Sequence, residues 1–177
     1  MNLEVKEIDK EPEKYIYGLQ QMLINKTYKT SNYQTFVKHE KTKDRKIYKL
    51  PYYPDRVCQW AIMQVIEPIL TKTFVTCSHA SLKNKGIHSA LEETSRYMLD
   101  KRGSKYCLKI DVKKFFPSIN QSILKKLLRK KFKDKDLLWL LDEIIDSVPH
   151  NEGIPIGNYL SQYLFVLQNL NHYLLFL

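Results

Sequence analysis

The sequence predicts an α+β fold in which helices dominate, and three observations carry that prediction. Several stretches repeat apolar residues at helical spacing behind capping residues. Two short stretches alternate in the manner of strands. The 177 residues include only five glycines, with no internal repeat and no linker-like tract. In chain order, residues 11–26 have a helical pattern with Pro12 near the start, where its missing N–H costs nothing. Residues 31–51 are polar and basic, and the alternation of Arg45-Lys-Ile47-Tyr-Lys-Leu50 predicts a strand or ribbon.

Asp55 follows Pro54 and is an expected N-cap for RVCQWAIMQVIEPIL, whose apolar stripe is read through Val57, Trp60, Ala61 and Ile66. A second helix is expected from about Ile87 to Leu99, ending before Gly103. Residues 106–111 alternate as a strand, with Tyr106, Leu108 and Ile110 on one face and Cys107, Lys109 and Asp111 on the other. Pro117 is read as stopping that element. Asn120 is placed to cap QSILKKLLRKKF, and Asp134 or Asp136 to start LLWLLDEIIDS. VPHNEGIPIGN is turn-rich, and a last helix is expected from near Gly157.

Composition narrows the partners. Twenty-nine basic residues against 19 acidic ones leave a net charge of +10, which points first to a nucleic acid and second to an anionic membrane surface. A hydrophobic fraction of 44% with 27% charged residues is globular. MNLEVKEIDKEPEK carries charges where a secretory signal needs an apolar run. The apolar tract 159–177 is interrupted by Gln162, Gln168, Asn169, Asn171 and His172, unlike a membrane span. Cys58, Cys77 and Cys107 are scattered and odd in number, which fits a reducing compartment, the cytoplasm. Cys77-Ser-His79 has no second pair at zinc spacing and reads as a chance neighbour pair.

Four stretches bear on chemistry. A carboxylate at a strand end, as Asp111 is read, is placed to hold a divalent cation with phosphate oxygens; its plainer reading is a strand-end residue satisfied by backbone amides or by Lys113. Phe115 and Phe116 are either core aromatics or a wall for a nucleotide sugar, and spacing leaves both open. Seven basic residues lie between Lys125 and Lys135 against the single acid Asp134. Ile123, Leu124, Leu127 and Leu128 keep an apolar stripe there, so Lys125, Lys126, Arg129, Lys130, Lys131 and Lys133 form either a solvated face or a set of phosphate contacts. Gly153-Ile-Pro-Ile-Gly157 is a tight turn into a helix, a place where backbone approaches a ligand or merely a loop.

Together these stretches resemble reverse transcriptases of prokaryotic type. KIDVKKFFPSIN is similar to the palm motif A of that family, an Asp followed five residues later by an aromatic, and GIPIGNYLSQ to motif B. RKIYKLPYYPDRVCQWAIMQVIEPIL and SHASLKNKGIHSAL resemble the fingers blocks. The resemblance runs from about Arg45 to His172. Ile156-Gly157 and Ser161-Gln162, where retroviral, retron and group II intron enzymes tend to carry Gln-Gly and Ser-Pro, resemble the enzymes of diversity-generating retroelements.

The resemblance implies a fingers-like region over 1–104 and a partial palm over 105–177, truncated before the motif C hairpin and the thumb. It implies RNA-directed DNA polymerase activity with Mg²⁺, dNTPs, an RNA template, a primer or cDNA and a small basic accessory protein, in the cytoplasm of a bacterium or encoded by a phage, with no membrane partner. Asp111 and the Val112 carbonyl are implied metal ligands, Asp111 being catalytic. Phe116 is the implied steric gate against a ribose 2′-hydroxyl. Ile156, Gly157, Ser161 and Gln162 are implied to shape the nascent-pair pocket, and Arg45, Lys49 and Arg56 to meet the triphosphate. A group II intron, retron or phage-defence enzyme, or a non-catalytic basic RNA-binding module, is the alternative.

One departure has a physical consequence. The family's Tyr-x-Asp-Asp motif is missing, and no Asp-Asp pair occurs in the 177 residues. Two-metal chemistry needs carboxylates on both sides of the transferring group. The 177-residue chain with Mg²⁺, dNTPs and a primed template is therefore expected to give no extension product on a sequencing gel. Template-dependent synthesis would sink this expectation.

Overall fold

The computed structural model describes residues 3–40, 43–80, 82–111, 113–148, 153–155, 157 and 160–164. The α+β class is observed, with helices in the majority. Helices α1 (Leu3–Lys10) and α2 (Pro12–Ile24) precede an antiparallel hairpin of β1 (Gln34–Glu40) and β2 (Lys43–Lys49). A wide turn, Tyr52–Arg56, leads into α3 (Val57–Thr71), followed by α4 (Ile87–Met98), the single turn α5 (Phe115–Ser118), α6 (Gln121–Lys131) and α7 (Lys135–Asp146). Residues 160–164 are helical, in keeping with the helix expected from near Gly157. Among the described residues no helix is long and apolar enough to cross a membrane.

Two of the three expected caps close. Asn120 accepts from the Ile123 amide at 3.0 Å and Asp134 from the Leu137 amide at 2.7 Å, each satisfying an orphan donor and contributing about 1 kcal/mol. Pro12 takes the first turn of α2. The core forms where α3, α6 and α7 bury one stripe each, through Met63, Ile66 and Leu70, Leu124 and Leu128, and Leu141 and Ile145. Tyr163 is inserted beside them and donates to Glu67 of α3 at 2.8 Å. The ribbon expected around Arg45–Leu50 is the hairpin, in the register Gln34↔Lys49, Phe36↔Ile47, Lys38↔Arg45.

Three expectations are corrected. Asp55 does not cap α3: the N-cap position is Arg56, and Asp55 sits in the wide turn with no solvent exposure. Its Oδ1 accepts from the Tyr28 hydroxyl at 2.8 Å and the Ser31 amide at 3.1 Å. In α3, Cys58, Ile62, Met63, Ile66 and Leu70 face inward while Trp60 stays 55% exposed. Apolar residues ring this helix, so periodicity alone does not choose its phase.

The strand read at 106–111 does not form, and Tyr106, Leu108 and Ile110 are 94%, 84% and 63% exposed. A strand exists only with a neighbour to take its backbone hydrogen bonds, and among the described residues the hairpin pairs only with itself. Pro117, read as a stop, instead lies inside the α5 turn.

Burial first, then the neighbouring Cys58 and Asp55, push the Tyr28 phenol far above its ordinary range, so it stays a donor to the carboxylate. Tyr28→Phe removes one of the two donors to a fully buried acid. It is expected to lower the unfolding free energy by about 2 kcal/mol in urea titrations. A variant with unchanged midpoint would show that the contact carries no stability.

Candidate functional site

Gly153, Ile154 and Gly157 tie the candidate residues together through backbone. Gly153 adopts φ +79°, and a Cβ there would lie 2.9 Å from the Phe116 carbonyl oxygen and 2.9 Å from Pro117 Cα. Its amide donates to the Ile119 carbonyl at 2.7 Å, and the Ile154 amide to the Phe116 carbonyl at 3.0 Å. Buried Gln121, at the start of α6, donates from Nε2 to the Gly153 carbonyl at 3.1 Å. Gly157 has φ +124°, and a Cβ there would lie 2.7 Å from the Tyr48 carbonyl oxygen and 3.2 Å from Ile47 Cγ2. Two glycines that read as turn formers are thus points where main chain lies against main chain.

This seam brings three distant stretches into one neighbourhood: the α5 turn with Phe116, the residues Gly153, Ile154 and Gly157, and β2. Arg45 and Lys49 share the β2 face of Ile47, the side chain that approaches Gly157. Arg45 is half-buried and Lys49 exposed. Arg56 lies beyond the hairpin, its guanidinium 5.6 Å from the Tyr52 ring centroid. Phe116 is half-buried and packs edge-to-face on Phe115 at 5.9 Å, against the core.

Asp111 is exposed, six residues ahead of Pro117 in an irregular stretch. Among the described residues no group of three or more His, Cys, Asp or Glu side chains is gathered where a metal would sit. One carboxylate fits a single ligand position of Mg²⁺, with phosphate oxygens and water to supply the others. Val112 and Ile156 lie outside the described residues. Ser161 and Gln162 are not brought to one surface. Ser161 is buried in a small crevice with Ile144, Ile154, Leu160 and Leu164, while Gln162 is exposed.

The basic run of α6 divides in two. Lys125 pairs with Asp146 and Arg129 with Asp142, both across to α7, with Arg129 Nη1 to Asp142 Oδ1 at 3.2 Å. Asp142, through its hydrogen bond, raises the Arg129 guanidinium above its ordinary value. Lys126, Lys130, Lys131 and Lys133 are exposed, Lys133 donating to the Arg129 carbonyl at 2.8 Å. Two of the six residues read as phosphate contacts are therefore engaged between helices, a pairing visible only once α7 lies beside α6. The sequence reading missed Gln121 and Tyr48. Neither carries a local signal, because each contributes through a backbone that folding brings to it.

No family model matches the chain. The curated protein YkfC of Escherichia coli (strain K12) is 23% identical over 137 residues, covering 71% of this chain and 36% of that protein. The chain thus spans about a third of the length of that relative.

Gly157→Ala is expected to push β2 off the seam, lowering stability by about 2 kcal/mol and speeding amide exchange in residues 43–49. Gly86→Ala, with φ 175° and nothing within 4 Å of the added methyl, should stay within about 0.5 kcal/mol of the parent. Equal effects of the two changes in chemical denaturation would refute the seam.

Proposed function

We propose that this chain is the fingers-like region (1–104) and partial palm (105–177) of an RNA-directed DNA polymerase of prokaryotic type, most like those of diversity-generating retroelements. What supports the reading above all is that the motif A-like turn, the motif B-like segment and the basic hairpin, far apart in sequence, meet through Gly153 and Gly157. The proposed partners are an RNA template, a primer or cDNA, dNTPs and a small basic accessory protein. Mg²⁺, when bound with a triphosphate, neutralises developing charge on phosphate oxygens. Asp111 would hold it, exposed as a carboxylate with room for phosphate and water ligands must be.

In this chain the residues do positional work. Arg45 and Lys49 put positive charge on the hairpin face by the seam, where a triphosphate would be held. Phe116, its carbonyl fixed by the Ile154 amide, sets an aromatic ring against which a sugar would pack. A second reading, a non-catalytic RNA-binding module, draws on the four exposed lysines of the α6 run, which need no metal.

The test is binding of a fluorescent dNTP by the full chain, followed by anisotropy. Binding should require Mg²⁺, weaken about tenfold in Asp111→Asn, and lose preference for deoxyribose over ribose in Phe116→Ala. Absence of dNTP binding alongside salt-sensitive, metal-indifferent RNA binding would reject the polymerase reading in favour of the module.

A further inference from the structure

Beyond α4 the chain stays at the surface for a full ten residues. Asp100 opens that stretch by turning its carboxylate back on its own backbone, Oδ1 accepting from the Arg102 and Gly103 amides at 3.0 Å each. Its carbonyl accepts from the Ser104 amide at 2.9 Å and from the Ser104 hydroxyl at 2.6 Å. The closed turn engages the only acid of residues 100–110 and fixes where the following residues depart. Every residue from Lys101 to Ile110 is exposed.

Two kinds of side chain are interleaved there. Lys101, Arg102, Lys105 and Lys109 are cationic, and Tyr106, Leu108 and Ile110 are large and apolar. Tyr106 is 94% and Leu108 84% exposed, nearly as bare as in an unfolded chain. Apolar groups gathered within five residues and rimmed by charge mark an interaction surface.

The partner has to satisfy both kinds at once. The cations require a polyanion, and the tyrosine ring requires a flat apolar group. A nucleic acid duplex supplies the charge but hides its base faces in the stack. An anionic bilayer admits apolar groups aligned on one face, and no helix or strand aligns them among residues 101–110. An unpaired strand offers phosphates and open base faces along one polymer. The +10 charge of the chain draws such a polymer in.

We infer that residues 101–110 dock a single strand of nucleic acid, with a base stacked on Tyr106 and neighbouring phosphates on Lys101, Arg102, Lys105 and Lys109. This surface is separate from the α6 lysines and needs neither Mg²⁺ nor a dNTP, so it stands or falls apart from the proposed nucleotide site.

Anisotropy of a fluorescent single-stranded oligouridylate with the full chain tests it. Tyr106→Ala should weaken binding about tenfold with the urea midpoint unchanged, and Tyr106→Phe should bind like the parent, because the ring carries the contact. Changing Lys101, Arg102, Lys105 and Lys109 together to Gln should lower the slope of log affinity against log salt by about 2. An RNA duplex should not distinguish Tyr106→Ala from the parent, and dNTP binding should be the same in both. Parent-like oligouridylate affinity in Tyr106→Ala, or an equal loss in Tyr106→Phe, would overturn the inference. So would capture by anionic phospholipid vesicles in place of the oligonucleotide.

Discussion

Main chain lying against main chain is the constraint from which the candidate site follows. At Gly153 the chain runs against the Phe116–Pro117 backbone, and at Gly157 against the Tyr48 carbonyl, each closer than a Cβ allows. Both glycines also hold positive φ, which a side chain resists. With these contacts, and the hydrogen bonds to Phe116 and Ile119, a turn and a hairpin separated by about seventy residues become one surface. Phe116, Arg45 and Lys49 owe their shared neighbourhood to that seam rather than to direct contact.

A second constraint sits deeper. Asp55 has no access to water, and a buried carboxylate is costly unless donors replace its hydration. Tyr28 and Ser31, both between α2 and the hairpin, donate to Oδ1, while Oδ2 is buried without a hydrogen-bond partner among the described residues. The acid therefore fastens the segment entering β1 to the one leaving β2. The hairpin that meets Gly157 is anchored at its base by this buried group, so the two constraints act in series.

Charge is distributed with a similar economy. Lys125 and Arg129 face Asp146 and Asp142, where ion pairs at half-exposed positions add specificity of packing more than stability. The lysines left exposed keep the field of a strongly basic chain on one side of α6. On the proposed reading, that face and the hairpin face divide the labour of holding backbone phosphates and a triphosphate. On the same proposed reading, a lone carboxylate at Asp111 would offer Mg²⁺ only part of its coordination.

Local physical chemistry made part of this legible beforehand. Asn120, Asp134 and Pro12 announce helix starts because a cap acts within three residues, and the hairpin announces itself by alternation within one strand. Helices α2, α3, α4, α6 and α7, the basic composition and the α+β class were thus determined by the sequence by itself, whereas α1 and the α5 turn were not read from it. Tertiary structure alone decided that Asp55 is a buried anchor and not a cap, that residues 106–111 remain without strand pairing, and that Lys125 and Arg129 turn to α7. It also decided that the glycines at 153 and 157 are points of close approach. Each depends on what another segment presents across space: a donor, a partner strand, a counter-charge or a carbonyl, none encoded at the residue that needs it.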